Sequence, residues 1–182
     1  MSKSPQQRAV CLIGFMGAGK TAVGRVLARQ LGWRFVDLDD EIERAAGRSI
    51  ATIFRTAGEA EFRRIEAEQL KLWLKRLQTG KSTVAALGGG AFVQKENAEM
   101  LRQANVPAVF LDAPLEELLQ RCREQAGRAR PLLDSDPEAL AILYAERRPL
   151  YLAAEATVQT SGKSVAEVAG EVERWLKGAA RA

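Results

Sequence analysis

The chain has 182 residues, of which 47% are apolar and 27% charged, with a net charge of +4, two cysteines and no histidine. That length suits one domain with a substantial core and is too short for two of ordinary size, and the composition excludes a disordered chain. The lack of histidine excludes His-based triads, His general bases and His zinc ligands, so any catalysis must use carboxylates, lysine, arginine, backbone amides or a bound metal.

Along the chain, "MSKSPQQR" leads into a short apolar run at 9–15 that breaks at glycines. This is neither a signal peptide nor a membrane span, and a cytoplasmic location is expected. Cys11 and Cys122 are far apart and outside any CxxC, so they read as reduced thiols. The first strand is expected at 10–13, and "GFMGAGKT" follows it. Gly14, Gly19, Lys20 and Thr21 satisfy G-x-x-x-x-G-K-[ST], in the required setting after a strand and before a helix. Glycines let backbone amides turn toward phosphate oxygens, the helix start adds positive dipole, Lys20 reaches the outer phosphates, and the Thr21 hydroxyl suits Mg²⁺. Gly17, Ala18, Gly19, Lys20, Thr21 and Ala22 form the expected nucleotide-binding set. The bland alternative, a flexible turn with an incidental lysine, does not explain why pattern and setting agree.

A second strand at 34–36 runs into "FVDLDD". Asp37 and Asp39 stand at its carboxyl end, where open α/β sheets bind ligands, and two residues apart in extended chain they face one side. One would serve a metal and the other accept a proton from an attacking hydroxyl, although both could simply cap the next helix. A long helix is expected over 58–78, with Phe62, Ile65, Gln69, Trp73 and Leu77 at three- or four-residue spacing and Gly80 as its stop; Trp73 belongs to the core. A third strand at 83–87 closes on Gly88, Gly89 and Gly90, a turn or a place for ligand against bare backbone. This strand carries no terminal aspartate, so the metal-side carboxylate falls to Asp37 or Asp39.

A fourth strand is expected at 108–111 and a fifth at 157–159. Between them "GRARPLLDSDPE" interrupts the helical pattern and reads as a surface loop or lid. Asp136-Pro137-Glu138 reads as a helix N-terminus, and Ser164 with Glu167 as a capping box. Strand alternating with helix predicts an α/β fold with a parallel sheet covered on both faces. The positive charge favours anionic partners, but scattered arginines form no basic block and no aromatic stacking face, so neither nucleic acid nor membrane is an expected partner. No exposed apolar heptad appears, and a monomer is expected.

In order and spacing, "GFMGAGKT", "DLDDEIE" followed by "GRSIATIF", "GEAEFRRIE", "LGGG", "RPLL" and "RRPLY" resemble the shikimate kinases over nearly the whole chain. The resemblance implies a three-layer α/β/α P-loop kinase fold with five parallel strands in the order 2-3-1-4-5, a substrate segment near 38–70 and a lid near 121–135. It also implies ATP as co-substrate, Mg²⁺ as cofactor and shikimate as acceptor.

By motif position, Asp39 resembles the carboxylate that meets the substrate hydroxyls and serves as general base, and Asp37 the acid near Mg²⁺. Arg63 and Arg147 resemble the pair that grips the shikimate carboxylate, with Gly88, Gly89 and Gly90 lining the pocket. Arg130 resembles a lid arginine on the ATP phosphates and, with Lys20 and Asp39, completes the catalytic set, while Arg123 resembles one that stacks near adenine. The segment 160–163 sits at the family's adenine-loop position but departs from its usual residues. Guanidinium forks match planar carboxylates bidentately, which supports arginine at these positions. Arg64, Arg121, Arg128 and Arg148 read as solvated helix faces. The rival readings are a kinase of another small hydroxy acid such as gluconate, or of a nucleoside monophosphate, and a non-catalytic nucleotide-binding module.

Overall fold

Strands β1 (Ala9–Ile13), β2 (Arg34–Asp37), β3 (Thr83–Ala86), β4 (Ala108–Asp112) and β5 (Ala156–Gln159) form one parallel sheet in the order β2-β3-β1-β4-β5. They belong to a computed structural model that describes residues 8–124 and 136–179. Helices α1 (Lys20–Leu31), α2 (Leu38–Ala46), α3 (Ile50–Leu77), α4 (Lys95–Gln103), α5 (Leu115–Glu124), α6 (Pro137–Tyr151) and α7 (Val165–Ala179) cover both of its faces. Each strand lies within one residue of its expected bounds at either end.

The inner strands read as unbroken apolar runs because both their faces are covered: every residue of β1, β3 and β4 is buried. The register aligns Leu12 with Ala86 on one side and with Val109 on the other. Leu87 extends the ladder by donating to Leu12 O at 3.1 Å. The carboxyl ends of the three central strands therefore finish at one edge of the sheet, and the loops that follow them share that edge.

Helix α3 differs from its expected start. Gly58 takes φ 80° and ψ 175°, so α3 is two helices joined at a break, and only the second coincides with the predicted one. The first, missed in the sequence, is capped by Ser49, whose hydroxyl accepts from Thr52 N at 3.2 Å. Trp73 is buried as expected. Gly80 is no left-handed stop: α3 ends at Leu77, and a Cβ on Gly80 would lie 2.6 Å from Arg76 O, so glycine is needed for close backbone approach. Asp136 caps α6 by accepting from Glu138 N at 3.3 Å. Both cysteines are buried and unbridged, and burial pushes the Cys11 thiol well above its ordinary value.

Ser164 and Glu167 form the reciprocal box at the start of α7: Ser164 N donates to Glu167 Oε2 at 2.7 Å and Glu167 N donates to Ser164 Oγ at 3.3 Å. Ser164→Ala should therefore lower stability by about 1 kcal/mol, read from the urea midpoint, with an unchanged denaturant slope.

Candidate active site

Residues 14–21 carry the chain from β1 into α1. Gly17 is in the left-handed region, and a Cβ there would overlap the Leu118 carbonyl oxygen and come within 2.9 Å of Cys122 Sγ on α5. Gly19, also left-handed, stands at the N-cap of α1 without a side-chain cap, and no acidic residue occupies the first turn. The first amides of α1 are thus left for an anionic ligand. Lys20 Nζ donates to Gly14 O at 2.9 Å and Phe15 O at 3.0 Å, which places its ammonium over the loop. Ala18 is buried beneath the loop, while Ala22 is exposed on the first turn of α1.

Thr21 Oγ1 donates to Asp37 Oδ2 at 2.8 Å, so the first turn of α1 is tied to the end of β2. The expectation that Asp37 and Asp39 stand side by side in extended chain is corrected. α2 begins at Leu38, between them, because Asp37 is itself the N-cap and accepts from Asp39 N at 3.2 Å. Asp37 consequently serves Thr21 and the cap. Asp39 lies beside the glycine triplet, where a Cβ on Gly88 would be 2.8 Å from its Oδ1.

The glycine triplet collects the remaining groups. A Cβ on Gly90 would overlap the Arg63 guanidinium, with its central carbon 2.7 Å away. One on Gly89 would lie 3.9 Å from Arg147 Nη1 and 3.6 Å from Gly14 O, the carbonyl that Lys20 holds. Arg63 and Arg147 therefore converge on one backbone segment beside the phosphate loop. The Tyr151 hydroxyl donates to Gly89 O, and burial pushes its pKa up to about 12, so it remains a donor.

Glu66, like Tyr151, belongs to this cluster although sequence reasoning passed it over. It is 1% exposed, accepts from Arg63 Nη1 at 2.8 Å, and its Oε1, which faces Gly88, has no hydrogen-bond partner among the described residues. The signal was present, since Arg63 and Glu66 are three apart on a helix and so share a face. Burial raises the Glu66 pKa, only partly offset by Arg63. For Arg63, burial works against the charge, but Glu66 and Glu59 outweigh it and hold the pKa above its ordinary value.

Arg64 lies on a solvated face, paired with Glu61 and Glu68. Two other arginines are only partly solvated and reach other elements as well. Arg148 pairs with the buried Asp112 at 2.7 Å, and Arg121 donates to Thr160 Oγ1 at 2.9 Å and Thr160 O at 3.0 Å as well as to Glu117. Spacing alone concealed Asp112 and Thr160 because each lies outside its arginine's own helix, whereas Glu117 shares α5 with Arg121. Arg123 is exposed in the last turn of α5. Residues 121–124 of the expected lid belong to α5, and its remainder, with Arg128 and Arg130, lies outside the described residues.

A parallel sheet ordered β2-β3-β1-β4-β5, with a glycine loop between β1 and an uncapped helix, is the P-loop kinase fold. The shikimate kinase family model matches residues 16–177. The shikimate kinase of Geobacter sulfurreducens is 42% identical over 179 residues, 97% of this chain and 95% of that protein. That of Persephonella marina is 38% identical over 165 residues, 91% and 96% of the two chains. The solved structure of the Acinetobacter baumannii shikimate kinase in complex with shikimate superposes with a TM-score of 0.85 at 38% identity, covering 94% of this chain and 93% of that one. A gluconokinase from Sinorhizobium meliloti shares the fold, at 18% identity and a TM-score of 0.64. The chain belongs to the shikimate kinase family.

Because Glu66 binds its proton more tightly in the folded than in the unfolded chain, its contribution is fully present below its ordinary pKa of 4.5 and is lost as pH rises through the raised value. Urea titrations should show the wild type losing stability relative to Glu66→Gln as pH is raised above 4.5. Parallel profiles would uncouple Glu66 ionisation from folding.

Proposed function

We propose that this enzyme transfers the γ-phosphoryl group of ATP to the 3-hydroxyl of shikimate, giving shikimate 3-phosphate and ADP in the route to chorismate and the aromatic amino acids. The carrying observation is the meeting of Asp39, Arg63 and Arg147 around Gly88, Gly89 and Gly90, next to the carbonyl on which Lys20 rests. Shikimate presents a carboxylate at one end of a compact ring and hydroxyls at the other. Arg63 and Arg147 grip the carboxylate, the bare glycine backbone admits the ring, and Asp39 orients the hydroxyl and removes its proton.

Lys20 leaves the Gly14 and Phe15 carbonyls for the outer phosphates, and the amides of Gly17, Ala18, Gly19, Lys20, Thr21 and Ala22 receive their oxygens. Phosphoryl transfer demands mainly positioning and neutralisation of spread charge, which these fixed donors supply. Thr21 Oγ1 and Asp37 Oδ2, 2.8 Å apart, are the hard oxygens that Mg²⁺ takes. A single carboxylate fits an ion that keeps most of its water and binds substrate phosphates, and among the described residues no cluster of three or more acidic or cysteine side chains offers another site. Once bound there, Mg²⁺ would neutralise charge on the transferring phosphates.

The same reading gives one domain over 1–182, with a substrate segment at 38–70 and a lid at 121–135 bringing Arg130 to the phosphates and Arg123 to the base. It gives a cytoplasmic monomer without nucleic-acid or membrane partners. No helix among the described residues is long and apolar enough to cross a membrane.

A coupled ADP-release assay against a panel of acceptors is the test. Turnover is expected with shikimate and not with gluconate or AMP, and the reverse pattern would overturn the assignment. In the same assay Asp39→Asn should bind ATP and shikimate about as tightly as the wild type while its rate falls by about 10²–10⁴-fold. Unchanged turnover would remove Asp39 as the base.

A further inference from the structure

Asp112 ends β4 and is 3% exposed, yet nothing in the proposed chemistry uses it. Its carboxylate accepts from Arg148 Nη2 at 2.7 Å and from Gln159 Nε2 at 3.1 Å. Its backbone oxygen accepts from Thr160 N at 2.8 Å and Thr160 Oγ1 at 3.2 Å. One turn from Arg148 on α6, the Tyr144 hydroxyl donates to Ala113 O at 2.9 Å. The same ring meets Phe15 edge-on, with centroids 5.4 Å apart. Phe15 lies in the phosphate loop, and its carbonyl is one of the two that hold Lys20. Immediately before Asp112, the Leu111 carbonyl abuts Gly14 so closely that a Cβ there would lie 2.6 Å away. The end of β4 thus touches the phosphate loop on one side and pins α6 on the other.

Arg147 is the neighbour of Arg148 on α6, and four residues further on Tyr151 is bound to Gly89. Where the Arg147 guanidinium lies relative to the loop is therefore set by how α6 is fastened. The fastening is charged and buried on its acidic side: Arg148, itself partly exposed, is the only cation whose pairing with Asp112 appears among the described residues, and a buried carboxylate that lost it would keep only the neutral Gln159 amide as a strong donor.

We infer that Asp112 is a positioning residue for the transfer reaction, fixing α6 through Arg148 so that Arg147 meets the acceptor at a set distance from the phosphate loop. The inference rests on the reading of Arg147 as a ligand of the acceptor carboxylate. Asp112 touches neither substrate. Its loss acts on the acceptor side, because the phosphate loop keeps its own path through Gly17, Gly19 and the Asp37 tie, whereas α6 loses its ion pair.

The test is a mutant cycle with steady-state kinetics on the full chain, using shikimate and ATP as the varied substrates. Asp112→Ala should raise the shikimate KM by about tenfold or more while the ATP KM stays within about twofold, since misplacement of a positioning group falls on the ligand that it positions. Arg147→Ala alone should raise the shikimate KM, and Asp112→Ala added to it should raise it no further, because residues acting through one another are non-additive. Should Asp112→Ala fail to fold, Arg148→Lys, which keeps the charge but loses the fork, takes its place in the same cycle with a smaller shift of the same kind. An equal factor with and without Arg147, or parallel changes in both KM values, would reduce Asp112 to a general stabiliser and overturn the inference while leaving the clamp intact. If Arg147→Ala leaves the shikimate KM unchanged, the clamp reading falls and the inference with it.

Discussion

The uncapped start of α1 is the constraint on which the rest of the site depends. A helix N-terminus presents amides with no intrahelical partner, and at four other helices side chains accept from them: Asp37 for α2, Ser49 for α3, Asp136 for α6 and the Ser164 box for α7, while α4, without such a bond, carries Glu96 in its first turn. At α1 the cap is Gly19, which has no side chain to cap it, and the first turn lacks an acid, so that end keeps its positive potential. A loop held in that shape needs support from outside itself. Leu111, Leu118 and Cys122 press on the glycines closely enough to forbid a side chain, which transfers the rigidity of β4 and α5 to the phosphate site.

Beside the loop, the pocket brings opposite charges together. Arg63 and Arg147 face Asp39 and Glu66 across the glycine triplet. Burying an ion pair such as Arg63 with Glu66 offers little net stability, because desolvation offsets the attraction. Its value here is orientation, since a guanidinium fastened by Glu66 and Glu59 presents its fork in one direction. Tyr151 acts similarly on the backbone, holding the Gly89 carbonyl and leaving the triplet shaped by bonds made behind it. A gluconokinase with the same sheet shows that the architecture alone does not choose an acceptor. That choice falls to groups at the loop ends.

Strand positions, the phosphate loop and two of the helix caps were legible in the sequence because each is written in contiguous residues. Apolar runs such as AVCLI announce a strand covered on both faces, and a glycine-lysine-threonine pattern between strand and helix announces a cradle. The break at Gly58 was not legible, since a lone glycine within a helical pattern signals either a tolerated cost or an interruption. Nor was the separation of Asp39 from Asp37 onto a helix, because α2 starts at Leu38, directly after the strand, where an extended reading of "DLD" needs extended chain. Arg121 and Arg148 looked like solvated arginines for as long as Thr160 and Asp112 were only positions 39 and 36 residues distant.

What the sequence by itself determined is therefore local: the periodicities, the caps, the phosphate cradle, and the ordered motifs that mark the family. What only the tertiary structure decided is which side chains meet. Asp39, Arg63, Glu66, Arg147 and Tyr151 come from three helices, and they gather around one glycine triplet because the parallel register ends β1, β3 and β4 at a common edge. Contacts of that kind depend on the direction in which each helix leaves the sheet. That direction is set by packing over the whole core and is carried by no single stretch of chain.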